Sequence, residues 1–281
     1  MREHREVTEL WLRNPHSVLA TLTNRPNDVL WIALPQGKAG DAWSDVETLA
    51  RQHRVPLRTE KPPQDHRINA TQPSRKFTRK GNVAQPPSAV RHSANAPSGR
   101  RTHHDSGRAE AHGAMIRPRE ACDVSELFAD AKDGDLWLAL DCVQDPHNIG
   151  AVFRAAGFFG VRGILLSDAR SAPLSAVAYD VASGGLEAVP YSRPANLANA
   201  LRAAKDAGIW LLGAAEEADQ SYREIPRDRP WLLILGNEET GLRRLTREHC
   251  DQFCSISSAG PVGSLNVSVA AGILIAALTG R

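Results

Sequence analysis

Several common signatures are missing from this chain of 281 residues. No G-x-G-x-x-G follows an apolar run, because "GFFGVRG" has the wrong spacing, and there is no G-x-x-x-x-G-K-[ST]. Dinucleotide and nucleoside-triphosphate enzymes are therefore disfavoured. G-x-S-x-G and the zincin motif are absent too, which disfavours serine-hydrolase and zinc-protease chemistry. Cysteine is scarce: Cys122, Cys142, Cys250 and Cys254 make no disulfide framework. Cys250 and Cys254 form one C-x-x-x-C with no second pair, which argues against a zinc site and leaves reduced thiols of a cytosolic protein. The opening "MREHREVTEL" lacks the apolar core of a secretory signal. The last apolar run contains Ser268 and falls short of the ~18–20 residues of a membrane span. The expectation is a soluble, cytoplasmic protein with no bound metal and no membrane contact.

What is present is unevenly distributed. Hydrophobic residues make up 42% of the chain, enough for a packed core, and the net charge is only +2. Yet Lys61 to Arg119 holds twelve Lys/Arg against Asp65, Asp105 and Glu110. Between His66 and His112 the only large apolar residues are Ile68, Phe77, Val83 and Val90, and four prolines interrupt any periodicity. Such a stretch buries too little surface to offset its ordering entropy. It is expected to be a disordered basic linker over 61–118, either a plain spacer or a tether with affinity for polyanions.

Before it, Asn14-Pro15 is a helix start. "DVLWIALP" reads as a strand, "DAWSDVETLARQHR" as an amphipathic helix and "VPLRTE" as a second strand, which together make a small α/β unit over 1–60. After the linker, apolar runs alternate with amphipathic helices. "DLWLALD", "VRGILLS", "IWLLGAA", "WLLILG" and "QFCSI" read as strands and "NIGAVFRAAGFFG", "PLSAVAYDVASG", "ANLANALRAAKDAG", "TGLRRLTREHC" and the closing run as helices. Strands apolar throughout are the parallel, doubly covered type, so 119–281 is expected to be an open, doubly wound sheet that binds ligands at the carboxyl ends of its strands.

Three loops at strand ends carry the polar residues. In "DCVQDPHNIGAVFRAAG", Asn148 stands where a helix cap belongs, and Arg154, six residues on, is expected to face roughly the same way. In "LLILGNEETGL", Gly236 at a strand end permits close backbone approach to a ligand, and Glu238 follows. In "AGPVGSLNVSVAAG", Ser264 is expected to cap the last helix, with Asn266 in its first turn and free N–H groups nearby. Two glycines and a proline before that cap suggest a helix whose start holds something.

Together these loops resemble the SpoU/TrmH family of RNA ribose 2'-O-methyltransferases, in the SPOUT superfamily. The matching pieces are "DPHNIGAVFRAAGFFGV", "LILGNEETGLRRLTREHCD" and "SISSAGPVGSLNVSVAAGI", within a resemblance that covers Asp135 to the C-terminus. "RNPHSVLATLTNRPNDVLWIAL" and "HRVPLR" are similar to the L30e-like substrate-binding domain that precedes the catalytic domain in many members, where the basic segment here occupies the middle of that domain. The resemblance implies a C-terminal trefoil knot, S-adenosylmethionine as cofactor, a homodimer with its site near the interface, and RNA as substrate. It implies cofactor contacts at Gly236, Ile256 and Leu265, with Ser183 and Gly184 of "VASGGLEAVP" in addition. It implies Arg154 as the central catalytic residue, surrounded by Asn148, Glu238, Ser264 and Asn266. "ISS" (256–258) and Pro261 depart from the family's usual Ile-Pro-Met run and serine. The L30e-like piece favours the branch that methylates a guanosine of 23S rRNA. A tRNA ribose methyltransferase and a non-catalytic RNA-binding assembly factor are the alternatives.

Overall fold

The computed structural model describes residues 9–34, 41–59, 112–167 and 174–280. Residues 61–111 of the expected linker lie outside them.

The N-terminal unit is a four-stranded sheet with helices on one face. Its strands are β1 (Leu10–Leu12), β2 (Val29–Ala33), β3 (Leu57–Arg58) and β4 (Gly113–Ile116), in the order β1-β4-β2-β3. β4 runs antiparallel to both neighbours, and β2 and β3 are parallel. Helices α1 (Pro15–Asn24) and α2 (Asp41–Gln52) cover it, with Val18, Leu22, Val46 and Ala50 packed into the main core. Asn14 caps α1 as its sequence suggests, accepting from the His16 N–H at 2.9 Å, with Pro15 in the first turn. β4 corrects the expected linker, which ran to residue 118. All four of its residues are buried, and it pairs on both sides. "GAMI" is a short apolar island in basic surroundings, and only its two neighbouring strands give its backbone groups partners.

The larger unit is a six-stranded parallel sheet in the order β10-β8-β9-β5-β6-β7. The strands are β5 (Leu136–Leu140), β6 (Gly163–Leu166), β7 (Tyr191–Ser192), β8 (Trp210–Ala214), β9 (Trp231–Leu235) and β10 (Gln252–Cys254). Strand alternation sends their side chains into two cores. Leu136, Leu138, Leu140, Leu233 and Leu235 enter the core that continues into the N-terminal unit, where α4 (Pro146–Phe159), α5 (Ala176–Ala182), α6 (Gly185–Ala188) and α9 (Val267–Thr279) pack. Trp137, Ala139, Leu232 and Ile234 enter the other, with α3 (Val124–Leu127) and α7 (Leu197–Asp206). This is why these strands carry no polar alternation. Trp137 is wholly buried, and its indole N–H donates to the Leu127 carbonyl at 2.8 Å.

α8 (Arg244–His249) is shorter than "TGLRRLTREHC" suggests, because Asn237 and Gly241 first close a backbone bridge at 3.1 and 2.9 Å. Asp141, fully buried after β5, ties α8 to the sheet. It accepts from Thr246 Oγ1 at 2.6 Å and pairs with Arg243 Nε at 2.6 Å.

α1 also fastens the two units together. Asn14 Nδ2 donates to the Asp180 carbonyl at 2.7 Å, and Ser17 Oγ to the Tyr179 carbonyl at 2.7 Å. The Asp180 carboxylate accepts the N–H groups of Arg13 and Asn14 at 3.0 and 2.9 Å; burial still leaves its pKa raised. Among the described residues no helix is long and apolar enough to cross a membrane.

Candidate functional site

Three loops meet at the carboxyl ends of β5, β9 and β10. β5 leads into α4, whose N-cap is Asp145, accepting from the His147 N–H at 2.9 Å. Asn148 is therefore not the cap. It lies within the first turn, 8% exposed, and its amide is free to bond elsewhere. Its Nδ2 donates to Glu238 Oε1 at 2.8 Å, and its Oδ1 accepts from Asn266 Nδ2 at 3.0 Å. Asn266 in turn caps α9, accepting from the Ser268 N–H at 2.9 Å and the Ser268 hydroxyl at 2.6 Å. So Asn266, not Ser264, is the cap. The result is a directed chain, Ser268 to Asn266 to Asn148 to Glu238, that ends on an exposed carboxylate.

The β9 loop is braced from within. Asn237 Nδ2 donates to the Cys142 carbonyl at 3.0 Å, and its Oδ1 accepts the N–H groups of Glu239 and Thr240 at 3.0 and 3.1 Å. A Cβ on Gly236 would fall 2.5 Å from the Leu242 nitrogen and collide with the Gly241 backbone. Glycine is required there by the closure of the loop on itself, rather than by the approach of a ligand that the sequence suggested.

A cavity of about 750 Å³ opens between the loops after β9 and β10 and the segment after β8, with the β5 loop outside it. Gly236, Ile256, Ser264 and Leu265 line it, with Leu235, Val267, Ala270 and Leu274 as apolar wall and Glu216, Glu217 and Glu238 among its acidic groups. An apolar wall with nearby carboxylates, of which Glu217 is paired with the lining Arg247, suits a ligand with a flat ring and a positive centre. Ser183 and Gly184 do not line this cavity. They form the α5–α6 turn, where a Cβ on Gly184 would meet Ala20 of α1 at 3.1 Å. Arg154 also stands apart. Six residues along a helix correspond to ~9 Å of rise and ~120° of rotation, not a shared face. Its side chain is exposed, with no hydrogen bond or ion pair among the described residues.

The site thus gathers Asn148, Glu238, Asn266, Ser264, Gly236, Ile256 and Leu265, and leaves out Arg154, Ser183 and Gly184. It adds Asn237 and Asp145, which the sequence reading passed over. "QDP" before "HNIG" was the available signal for Asp145, since Asp-Pro is a standard cap and first-turn pair.

The SpoU rRNA Methylase family model matches residues 135–276. The chain belongs to that family. Among curated SpoU-type relatives, the 23S rRNA (guanosine-2'-O-)-methyltransferase RlmB of Yersinia pestis is 47% identical over 58% of this chain and 68% of its own length. Its namesake in Escherichia coli K12 is 45% identical over 54% and 63%, and that of Nitrosomonas europaea 41% identical over 57% and 62%. The chain thus spans a little under or over two thirds of the length of these relatives. The SpoU methyltransferase AviRb of Streptomyces viridochromogenes superposes with a TM-score of 0.70 at 19% identity, over 97% of this chain and 89% of that one. An RNA methyltransferase of the TrmH family from Porphyromonas gingivalis superposes with a TM-score of 0.63 at 20% identity. These likenesses establish the α/β fold with its parallel sheet as that of SpoU methyltransferases.

Proposed function

We propose that the protein is an S-adenosylmethionine-dependent RNA ribose 2'-O-methyltransferase acting on a guanosine of 23S rRNA. One observation carries this reading. The family match spans the same three loops whose Glu238–Asn148–Asn266 chain lies beside the cavity. The relatives that bear the guanosine-2'-O- name are 41 to 47% identical over 54 to 58% of the chain.

In this reading the cavity holds the cofactor, with Gly236, Ile256 and Leu265 against it. Bound there, S-adenosylmethionine supplies an electrophilic methyl group. The acidic groups near the cavity favour its sulfonium charge. Asn148, fixed by two hydrogen bonds, and Ser264 shape the entry of the ribose, and the exposed Glu238 carboxylate, held by Asn148 and Asn237, stands beside that entry. Arg154 keeps its charge throughout, since a guanidinium is not deprotonated in proteins. Its part is to bind the phosphate beside the target ribose and to stabilise negative charge developing on the 2'-oxygen. Its distance from Asn148 supports a homodimer, in which a second copy closes the gap. Exposed Phe158 on α4 and Val269 on α9, 79% and 51% accessible, give that interface apolar surface.

We read 255–266, which runs along the cavity beside the β9 loop, as the segment drawn through the trefoil knot. Residues 9–59 with β4 are read as the L30e-like RNA-binding unit and 119–281 as the methyltransferase unit. The enzyme is taken to work in the cytoplasm, where its RNA is. The test is transfer of labelled methyl groups to total RNA lacking the modification, followed by digestion and nucleoside mass spectrometry. 2'-O-methylguanosine in 23S rRNA is the expected product. Label in tRNA would replace the substrate class, cofactor binding with no label in any RNA would point to a wrong substrate or assembly state, and no cofactor binding at all would favour a non-catalytic RNA-binding protein.

A further inference from the structure

The α5–α6 turn is wedged between helices from different parts of the chain. Ser183 and Gly184 both have positive φ, 49° and 96°. On one side Gly184 lies against Ala20 of α1. On the other, a Cβ on Gly185 would fall 2.8 Å from the Arg154 nitrogen and strike the Phe153 carbonyl. No side chain therefore separates this turn from the backbone of α4 at Arg154. Just beyond it, the Glu187 side chain is only 2% exposed and is held entirely from α1's side. Arg25 donates to it through Nε at 2.9 Å and Nη2 at 2.7 Å, and Thr21 Oγ1 at 3.1 Å. Burial works against the Arg25 charge, but the Glu187 carboxylate keeps its pKa above the ordinary value. A two-pronged guanidinium–carboxylate pair fixes orientation as well as distance.

We propose that Glu187 is a positioning residue that couples the N-terminal unit to Arg154. It sets the register between RNA held by that unit and the ribose presented for methylation. The proposal rests on the function assigned to Arg154 above. α6 is a single turn between Gly185 and Ala188, so it has no slack in which a shift of α1 is absorbed. Such a shift passes through Gly184 and Gly185 to the backbone that carries Arg154. The register is thus built into a buried ion pair far from the cofactor cavity.

The test uses the full chain and two variants. Arg25→Met strands a buried carboxylate and is expected to destabilise the fold. Arg25→Met/Glu187→Gln removes the stranded charge and keeps the volume, so it is expected to recover the thermal midpoint and wild-type cofactor affinity. Coupling predicts that the double variant still shows a KM for RNA raised at least tenfold, with methyl groups appearing on riboses flanking the target. A double variant with wild-type KM and a single methylated position overturns the proposal. Arg154→Ala is assayed in parallel. If it is inactive while the double variant behaves as wild type, only the coupling fails. If it retains full activity, the role of Arg154 fails and the coupling with it.

Discussion

Replacing Asn148 by Leu tests the centre of the site most directly. The change keeps the approximate volume and removes both hydrogen bonds, at 2.8 Å to Glu238 and 3.0 Å from Asn266. A hydrogen bond to a charged group contributes ~1.5–3 kcal/mol and a neutral one ~0.5–1.5 kcal/mol. Glu238 and Asn266 are exposed and regain water when released, so the lower half of the combined range applies, about 2–3 kcal/mol. At about 1.4 kcal/mol per tenfold, that corresponds to a loss of ~30- to 100-fold in methyl transfer if the chain of amides acts in the transition state. The helix itself should survive, because Asp145 and not Asn148 caps it. The assay is single-turnover transfer at saturating cofactor and RNA, with cofactor affinity measured by calorimetry. The expected result is the stated fall in rate with cofactor affinity changed less than threefold, since Asn148 does not line the cavity. Asn148→Asp sharpens the test. It sets a carboxylate against Glu238, which raises the pKa of one of the pair, so the lost bond re-forms as pH falls and the variant's rate rises toward acid. A Leu variant within twofold of the wild-type rate would refute the reasoning.

Arg154→Ala is expected to abolish methyl transfer while leaving the thermal midpoint within a degree or two, because its side chain is exposed; both are read on one preparation. Gly236→Ala places a methyl 2.5 Å from the Leu242 nitrogen, against backbone that cannot give, and should weaken cofactor binding at least tenfold by calorimetry. Burial pushes the Cys254 thiol up to about 12, so the folded chain keeps a proton that the unfolded chain releases above its ordinary 9.0. Its contribution is complete below pH 9 and declines through the window to 12, by at most about 1.4 kcal/mol per pH unit. Denaturant titrations of Cys254→Ala should show that much less slope, and an unchanged slope would count against a buried thiol. Asp141→Ala removes the buried acceptor of Thr246 and of the partly exposed Arg243, and should destabilise the fold by about 1–3 kcal/mol in the same titration.

The parts legible in the sequence are those with local causes. Five of the six strands of the large sheet announce themselves as apolar runs, β7 at two residues being too short to do so, and α1 is legible because Asn14 and Pro15 are adjacent. Where the reading failed, the deciding partner was distant. β4 is four residues whose strand partners, β1 and β2, lie about 80 to 106 residues away in sequence. By sequence, Asn148 reads as the cap of its helix, and Ser264 as the cap of the last helix with Asn266 in its first turn. The structure divides these roles by where the chain turns: Asp145 takes one cap, Asn266 takes the other, and Asn148 is released to bond Glu238, 90 residues on. Ser183 and Gly184 were placed on the cofactor by family likeness, but their positive φ values serve the contact with α1.

Two polar assemblies of this molecule, at Glu187 and at Asn148, do different work, and their exposure shows it. Glu187 is sealed, its oxygens occupied by Arg25 and Thr21, so it is a fixed joint. The amide chain through Asn148 instead runs from the cap of α9 outward to Glu238, an exposed carboxylate beside the cavity whose second oxygen accepts from Asn237 Nδ2 at 3.4 Å. Because Asn266 both caps α9 and orients Asn148, the start of that helix is ordered by the same bonds that order the site. That answers why an apolar helix begins with glycine, proline, serine and asparagine. The glycines and proline carry the chain along the cavity, and the asparagine spends one side-chain oxygen on the helix and its amide on the neighbouring loop. A fold built this way cannot loosen its last helix without loosening Asn148, so stability of α9 and order of the site rise and fall together.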